Sequence, residues 1–331
     1  MDQLPTYAEL PVSADAPPGS SWGLWGSQDQ LGCLNKTTRQ SVQRAASKVR
    51  DGEIFSLNAS LAIFETPLFG RPGTVHEVVE LDRGLVRDET LSSYNTQASS
   101  QWDGFRHAQS RGHGFYNGLP EDRVSISVWA ERGIAGRGVL LDLESFRESA
   151  GRPLQFDEAD PITVDDLRDC AAEQGIVIEQ GDFLVIHTGW LDWARRTSPE
   201  GLPVDMRTPG LMPSRETVAL LWDLQVAAVG SDVPAVEVWP PGAFASKERP
   251  IAAQAGSSHH GHDPARRQGT TTPSPRQRPV GVDLAALNQH SCARYQEQAR
   301  YSDRFLSLSR SIGRIQYTHS ARFDHSQGSG D

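Results

Sequence analysis

Between residues 136 and 232 short apolar runs alternate with stretches that carry helix-start signals, and this order constrains the fold more than any other feature. In GRGVLLDL (136–143) the residues Val139, Leu140 and Leu141 follow a Gly-rich turn and read as a short buried strand. Thr163, with Asp166 three positions on, makes a capping-box-like start for a helix over Val164–Gln174 that Gly175 ends. GDFLVIHTGW (181–190) then places an apolar strand at Phe183–Ile186 behind a Gly181-Asp182 turn. Ser214 caps a second helix, Glu216–Leu224, which leads into the strand-like VAAVGSD (226–232). An earlier helix is predicted to start after Asn35 and run through Thr38–Val49, stopping at Asp51-Gly52. Strands that alternate with capped helices indicate an α/β domain with a partly parallel sheet. Ligands of such sheets gather where the strands end, which singles out His187 and Asp232.

This pattern stops near residue 250. All eight Trp lie at or before Trp239, and residues 251–331 hold ten Arg, no Lys and six acids, against 22 basic and 36 acidic residues in 1–250. The last 81 residues contain eleven Leu, Ile, Val or Phe, below the roughly 20% at which a packed core becomes doubtful. Residues 1–250 are therefore expected to form the domain. Residues 251–331, with the run GSSHHGHDPARRQGTTTPSPRQRP (256–279), have the composition of a disordered or out-of-frame segment. A net charge of −10 disfavours a nucleic-acid groove or an anionic membrane surface as partner, because both need concentrated positive charge. Three scattered cysteines (Cys33, Cys170, Cys292) make no disulfide framework. No basic, apolar leader opens the sequence and no run approaches the roughly 20 apolar residues of a membrane span, so a cytoplasmic protein is expected.

The densest chemistry lies in QASSQWDGFRH (97–107). Gln97, Gln101, Asp103 and His107 are spaced by four, two and four, so on an extended strand all four would project from one face. A carboxylate, an imidazole and two carboxamides meeting at a point could hold a divalent metal, or could orient a water and a substrate carbonyl. Trp102, on the opposite face, would pack into the core. Asp29 and Asn35 sit in a turn-rich segment that suits Asx-type hydrogen bonds, and His113, beside Phe115 and Tyr116, could line a pocket.

These residues resemble the H-x-x-x-H-x-D-x-x-x-H signature of the kynurenine formamidase-like cyclase family of metal-dependent hydrolases. Gln97 and Gln101 stand where the two leading histidines would be. WGLWGSQDQLGCLN (22–35), GIAGRGVLLDL (133–143), GDFLVIHTGW (181–190), PGL (209–211) and VGSDVPAVEVWP (229–240) resemble further blocks of the family, in order. The S-S-Q-W-D-G-x-x-H variant resembles a branch of longer relatives. The likeness implies a swivelling α/β domain with a central mixed, barrel-like sheet flanked by helices, generally assembled as a homo-oligomer.

It further implies a divalent metal, zinc or manganese, held by Asp103 with Gln101 and Gln97, and by His259 or His260 in place of a downstream histidine. His107 takes the family's proton-transfer position, with Gln101 beside it as a catalytic hydrogen-bond donor. The expected activity is hydrolysis of an amide, formamide or cyclic amide or lactone bond in a small aromatic substrate, arylformamidase-like. Trp22, Trp25, Phe115 and Asp232 would hold that substrate. The alternative, from another class, is a non-catalytic relative that keeps the fold as a binding module.

Overall fold

The computed structural model describes residues 4–110 and 112–240, together with the backbone of a strand at 286–288. The first regular element is helix α1 (Arg39–Ser47), and Thr38 caps it by accepting the Ser41 backbone N–H at 3.1 Å. An antiparallel hairpin follows, β1 (Val75–Leu81) and β2 (Val86–Ser92), with every residue of both strands exposed. After the short helix α2 (Ser127–Arg132) the chain enters its sheet with β3 (Gly138–Asp142).

Helices α3 (Leu143–Ser149) and α4 (Val164–Glu173), with the two-residue strand β4 (Pro161–Ile162) between them, lead to β5 (Phe183–His187). Next come α5 (Trp190–Thr197), β6 (Gly210–Leu211), α6 (Arg215–Asp223) and β7 (Ala228–Ser231). β8 (Ala286–Asn288) pairs with β7 and lies beyond residue 250; the rest of residues 251–331 lies outside the described residues.

The order β3-β5-β7-β8 is parallel throughout, and helices make the crossovers from β3 to β5 and from β5 to β7. Among the described residues the sheet is open and not closed into a barrel, and its strands are parallel and not mixed. Burial on both faces explains why β5 and β7 read as unbroken apolar runs. Successive side chains of β5 alternate between faces. Leu184 and Ile186 join Leu141, Leu143, Phe146, Leu167, Leu221 and Val229 in one core. Phe183 faces the other way, into a cluster with Leu34, Phe105, Tyr116 and Trp129.

The capping signals are seated where the residues placed them. Thr163 Oγ1 accepts the Asp166 N–H at 3.1 Å while Asp166 Oδ2 accepts the Thr163 N–H at 3.0 Å, and Ser214 Oγ accepts from Thr217 N at 3.2 Å. Asp29 makes the expected local bonds, accepting from Gly32 N at 2.9 Å and Asn35 Nδ2 at 2.7 Å. The exposed hairpin and α5 carry no comparable signal. No helix among the described residues is long and apolar enough to cross a membrane.

Candidate functional site

The parallel register brings three strand ends together. Asp142 ends β3 opposite His187 at the end of β5, and Asp232 follows directly after β7. His187 Nδ1 lies 3.1 Å from Asp142 Oδ1, and its Nε2 is 3.8 Å from Glu144 Oε2. Asp142 also caps α3, accepting from Ser145 N at 3.1 Å and Ser145 Oγ at 2.7 Å, which fixes it against the imidazole.

Burial by itself would depress the His187 pKa. The bond to Asp142 and the charges of Asp232, Asp142 and Glu144 outweigh it and raise the value to about 9. Burial pushes Glu144 up, against the pull of His187. Gly189 lets the chain leave β5 for α5: its φ is +77°, and a Cβ there would collide with the Glu144 carboxylate.

Behind this cluster Asp232, 4% exposed, is gripped by Thr188, whose backbone N–H and hydroxyl each donate to Oδ1 at 2.8 Å. Asp232 also lines a cleft. Its apolar walls come from Ile63, Phe64, Leu68, Trp190 and Val233, and its polar side from Arg71, Gln97, Ser99 and Ser100. The 59–71 and 97–100 segments are tied to each other: Ser100 Oγ accepts the Ala59 N–H at 2.7 Å, and Ser99 Oγ donates to Ser60 O at 2.8 Å. Arg71 Nη1 donates to Gln97 O at 2.6 Å.

Residues 97–107 are built from turns and not from the extended strand anticipated from their even spacing. Asn95 Oδ1 accepts from Gln97 N at 2.9 Å and starts a 3-10 turn over Thr96–Ala98, and the His107 N–H closes a second turn on Gly104 O at 2.9 Å. Local Asx bonding and the small Gly104, packed against Ile126, outweigh the alternation. Phe105 anchors the second turn, with its ring 4.3 Å from Tyr116 and 5.2 Å from Trp129. Trp102 packs inward as expected, edge-on to Phe183 at 6.2 Å.

Three of the four residues still meet. Asp103 Oδ1 lies 3.9 Å from His107 Nδ1, and the Gln97 carboxamide donates to Asp103. Burial raises the Asp103 pKa against the opposing pull of His107, Arg71 and Gln97. Burial likewise lowers the pKa of Arg71, which Asp103 partly restores. Gln101 turns its Oε1 into the protein, where neither it nor Asp103 Oδ1 has a hydrogen-bond partner among the described residues.

These orphaned oxygens are the donor type that a hard divalent cation prefers. The described residues nevertheless contain no group of three or more His, Cys, Asp or Glu placed to hold a metal, and His259 and His260 lie outside them. The aromatic residues assigned to the substrate are elsewhere. Trp22 stands edge-on to Tyr116 at 6.5 Å, Trp25 packs on Trp222 at 6.0 Å, Phe115 packs on the second core, and none of the three lines the cleft. His113 stands edge-on to Trp22 at 6.5 Å.

Asp142, Glu144 and Arg71 were not anticipated. Asp142 ends an apolar run as His187 does, so the strand-end rule applied to GVLLD would have found it. Arg71 sits in an irregular loop with no local signal.

The fold and site thus define an α/β domain with polar side chains at the carboxyl ends of its parallel strands and a cleft beside Asp232. The chain belongs to the family described as "Putative cyclase", whose profile matches residues 43–238. No curated protein matches it. Among solved structures it is similar to a novel cyclase, at 26% identity and a TM-score of 0.56 over 66% of this chain and 79% of that one. It is more distantly similar to an isatin hydrolase bound to the product analogue thioisatinate, at 18% identity and a TM-score of 0.42 over 62% and 78% of the two chains. Isatin hydrolase A from Ralstonia solanacearum gives 18% and 0.43 over 62% and 78%.

Proposed function

We propose that this protein is a cytoplasmic, homo-oligomeric hydrolase of the kynurenine formamidase-like branch, opening an amide, formamide or cyclic amide or lactone bond of a small aromatic substrate. The observation that carries the reading is Asp103: its Oδ1 is buried with no hydrogen-bond partner among the described residues, 3.9 Å from the half-exposed His107 imidazole, and Gln97 links it to the cleft.

A separation of 3.9 Å is too long for a direct hydrogen bond and suits a bridging water. Asp103 and His107 would orient that water toward a carbonyl in the cleft. His107 takes the proton as the water oxygen adds to the carbonyl carbon, and returns it to the leaving nitrogen as the carbon–nitrogen bond breaks. Arg71 and the amide groups of Gln97 and Gln101 would donate to the developing oxyanion. Phe64 and Trp190 would pack on the ring and exclude solvent. A divalent metal, zinc or manganese, held by Asp103 with Gln101 and Gln97 and completed by His259 or His260, would polarise the carbonyl and acidify its bound water.

The second reading is a non-catalytic binding module. It is favoured by the Gln97 carboxamide, which already bonds within the chain, accepting from Thr96 Oγ1 at 2.9 Å and donating to Asp103. Metal content and turnover of N-formylkynurenine and an amide and lactone panel, with and without added Mn²⁺ or Zn²⁺, separate the two. The hydrolase reading expects turnover that falls about 10²- to 10⁴-fold in His107→Ala, and metal lost on Asp103→Ala. Absence of both metal and turnover across the panel sinks it.

A further inference from the structure

Asp232 is more tightly specified on one side than on the other. Its Oδ1 takes two hydrogen bonds from Thr188, both at 2.8 Å. Thr188 Oγ1 in turn accepts the Trp190 backbone N–H at 3.2 Å, so its single proton is committed to Asp232. The carboxylate is held in one orientation by this chain of bonds.

Its other oxygen, Oδ2, is buried and has no hydrogen-bond partner among the described residues, while the residue lines the cleft. A carboxylate oxygen withdrawn from water without a donor is costly, and it is the kind of group a ligand satisfies. The same cleft is lined by the apolar side chains of Phe64, Trp190 and Val233 and by the donors Arg71 and Gln97. The lining of the cleft therefore combines an acceptor residue, two donor residues and apolar surface.

We propose that Asp232 Oδ2 accepts the N–H of a bound aromatic amide whose carbonyl faces Arg71 and Gln97, so that the cleft selects secondary or cyclic amides over the matching lactones and esters. This deepens the hydrolase reading by choosing between its substrate classes, and it rests on that reading only for the carbonyl.

The test is equilibrium binding to the full chain, followed by calorimetry or Trp190 fluorescence, and reads no turnover. The probes are oxindole, N-methyloxindole and 2-coumaranone, three bicyclic rings of which only the first has an N–H. Oxindole is expected to bind about ten- to a hundredfold tighter than the other two, the ratio for a hydrogen bond to a charged group. In Asp232→Asn the two Thr188 donors hold the amide oxygen at the Oδ1 position, which turns the NH₂ into the cleft as a donor. Oxindole should then lose its advantage and 2-coumaranone should gain. Equal binding of all three rings to the wild type, binding of none, or an oxindole preference that survives in a folded Asp232→Asn each overturn the proposal. The wild-type comparison decides alone if that variant does not fold. Loss of turnover with the N–H preference intact overturns hydrolysis and leaves this site standing.

Discussion

His187 ties the stability of the fold to pH, and the effect can be isolated. The imidazole is 19% exposed, bonded to Asp142 at 3.1 Å, and faces Asp142 from β3, Glu144 from α3 and Asp232 after β7. Its pKa is about 9 in the fold against 6.5 for an unperturbed histidine. A raised folded-state pKa means that the fold binds the proton more tightly than the unfolded chain does. The resulting stabilisation is complete below pH 6.5, where both states are protonated, and is lost as the pH rises through about 9. The gap between the two values corresponds to roughly 3 kcal/mol, a large share of a domain's net stability.

Urea unfolding at several pH values between 6 and 10, on the wild type and on His187→Gln, measures it. Glu237, pushed up to about 7 by desolvation, titrates inside the same window in both proteins. The diagnostic quantity is therefore the wild-type advantage over the variant, which should shrink by roughly 3 kcal/mol from pH 6 to pH 10. An advantage that stays flat over that range would show that the carboxylates around His187 do not hold its proton, and would refute the reasoning.

Two further substitutions test how the strand ends are supported. Asp182→Ala breaks the buried ion pair with Arg137, bonded through Nη2–Oδ2 at 2.6 Å and Nε–Oδ1 at 3.1 Å, and also removes the acceptor of the Glu179 N–H at 2.7 Å. A loss of about 3–5 kcal/mol in urea unfolding is expected, and less than about 1 kcal/mol would contradict it. Gly189→Ala puts a Cβ at φ +77° and into Glu144, which should cost about 1–3 kcal/mol. Measured against Glu144→Ala alone, which itself removes a charge facing His187, Gly189→Ala should cost less than it does in the wild type, because the collision is gone and the backbone strain remains. An equal cost in the two backgrounds would show that the collision is not the cause.

Local chemistry was legible in the residues themselves. The caps at Thr163 and Ser214 and the strands through Val139–Leu141 and Phe183–Ile186 lie where the sequence places them, because a cap is a bond between neighbours and a buried strand needs only a short apolar run. For the same reason the strand-end positions of His187 and Asp232 could be read in advance. The even spacing of Gln97, Gln101, Asp103 and His107 misled, since alternation marks one face only if the chain is extended, and Asn95 and Gly104 turn it instead. Which distant residues meet was beyond any local pattern. Arg71 reaches Gln97, and Asp142 reaches His187 across 45 positions, through sheet register and loop docking. The sequence by itself determined an α/β chain with chemistry at its strand ends. Only the tertiary structure decided that Trp22 and Trp25 pack away from the cleft while Asp232 lines it with one buried oxygen unpartnered among the described residues, because burial and hydrogen-bond satisfaction are properties of the packed chain.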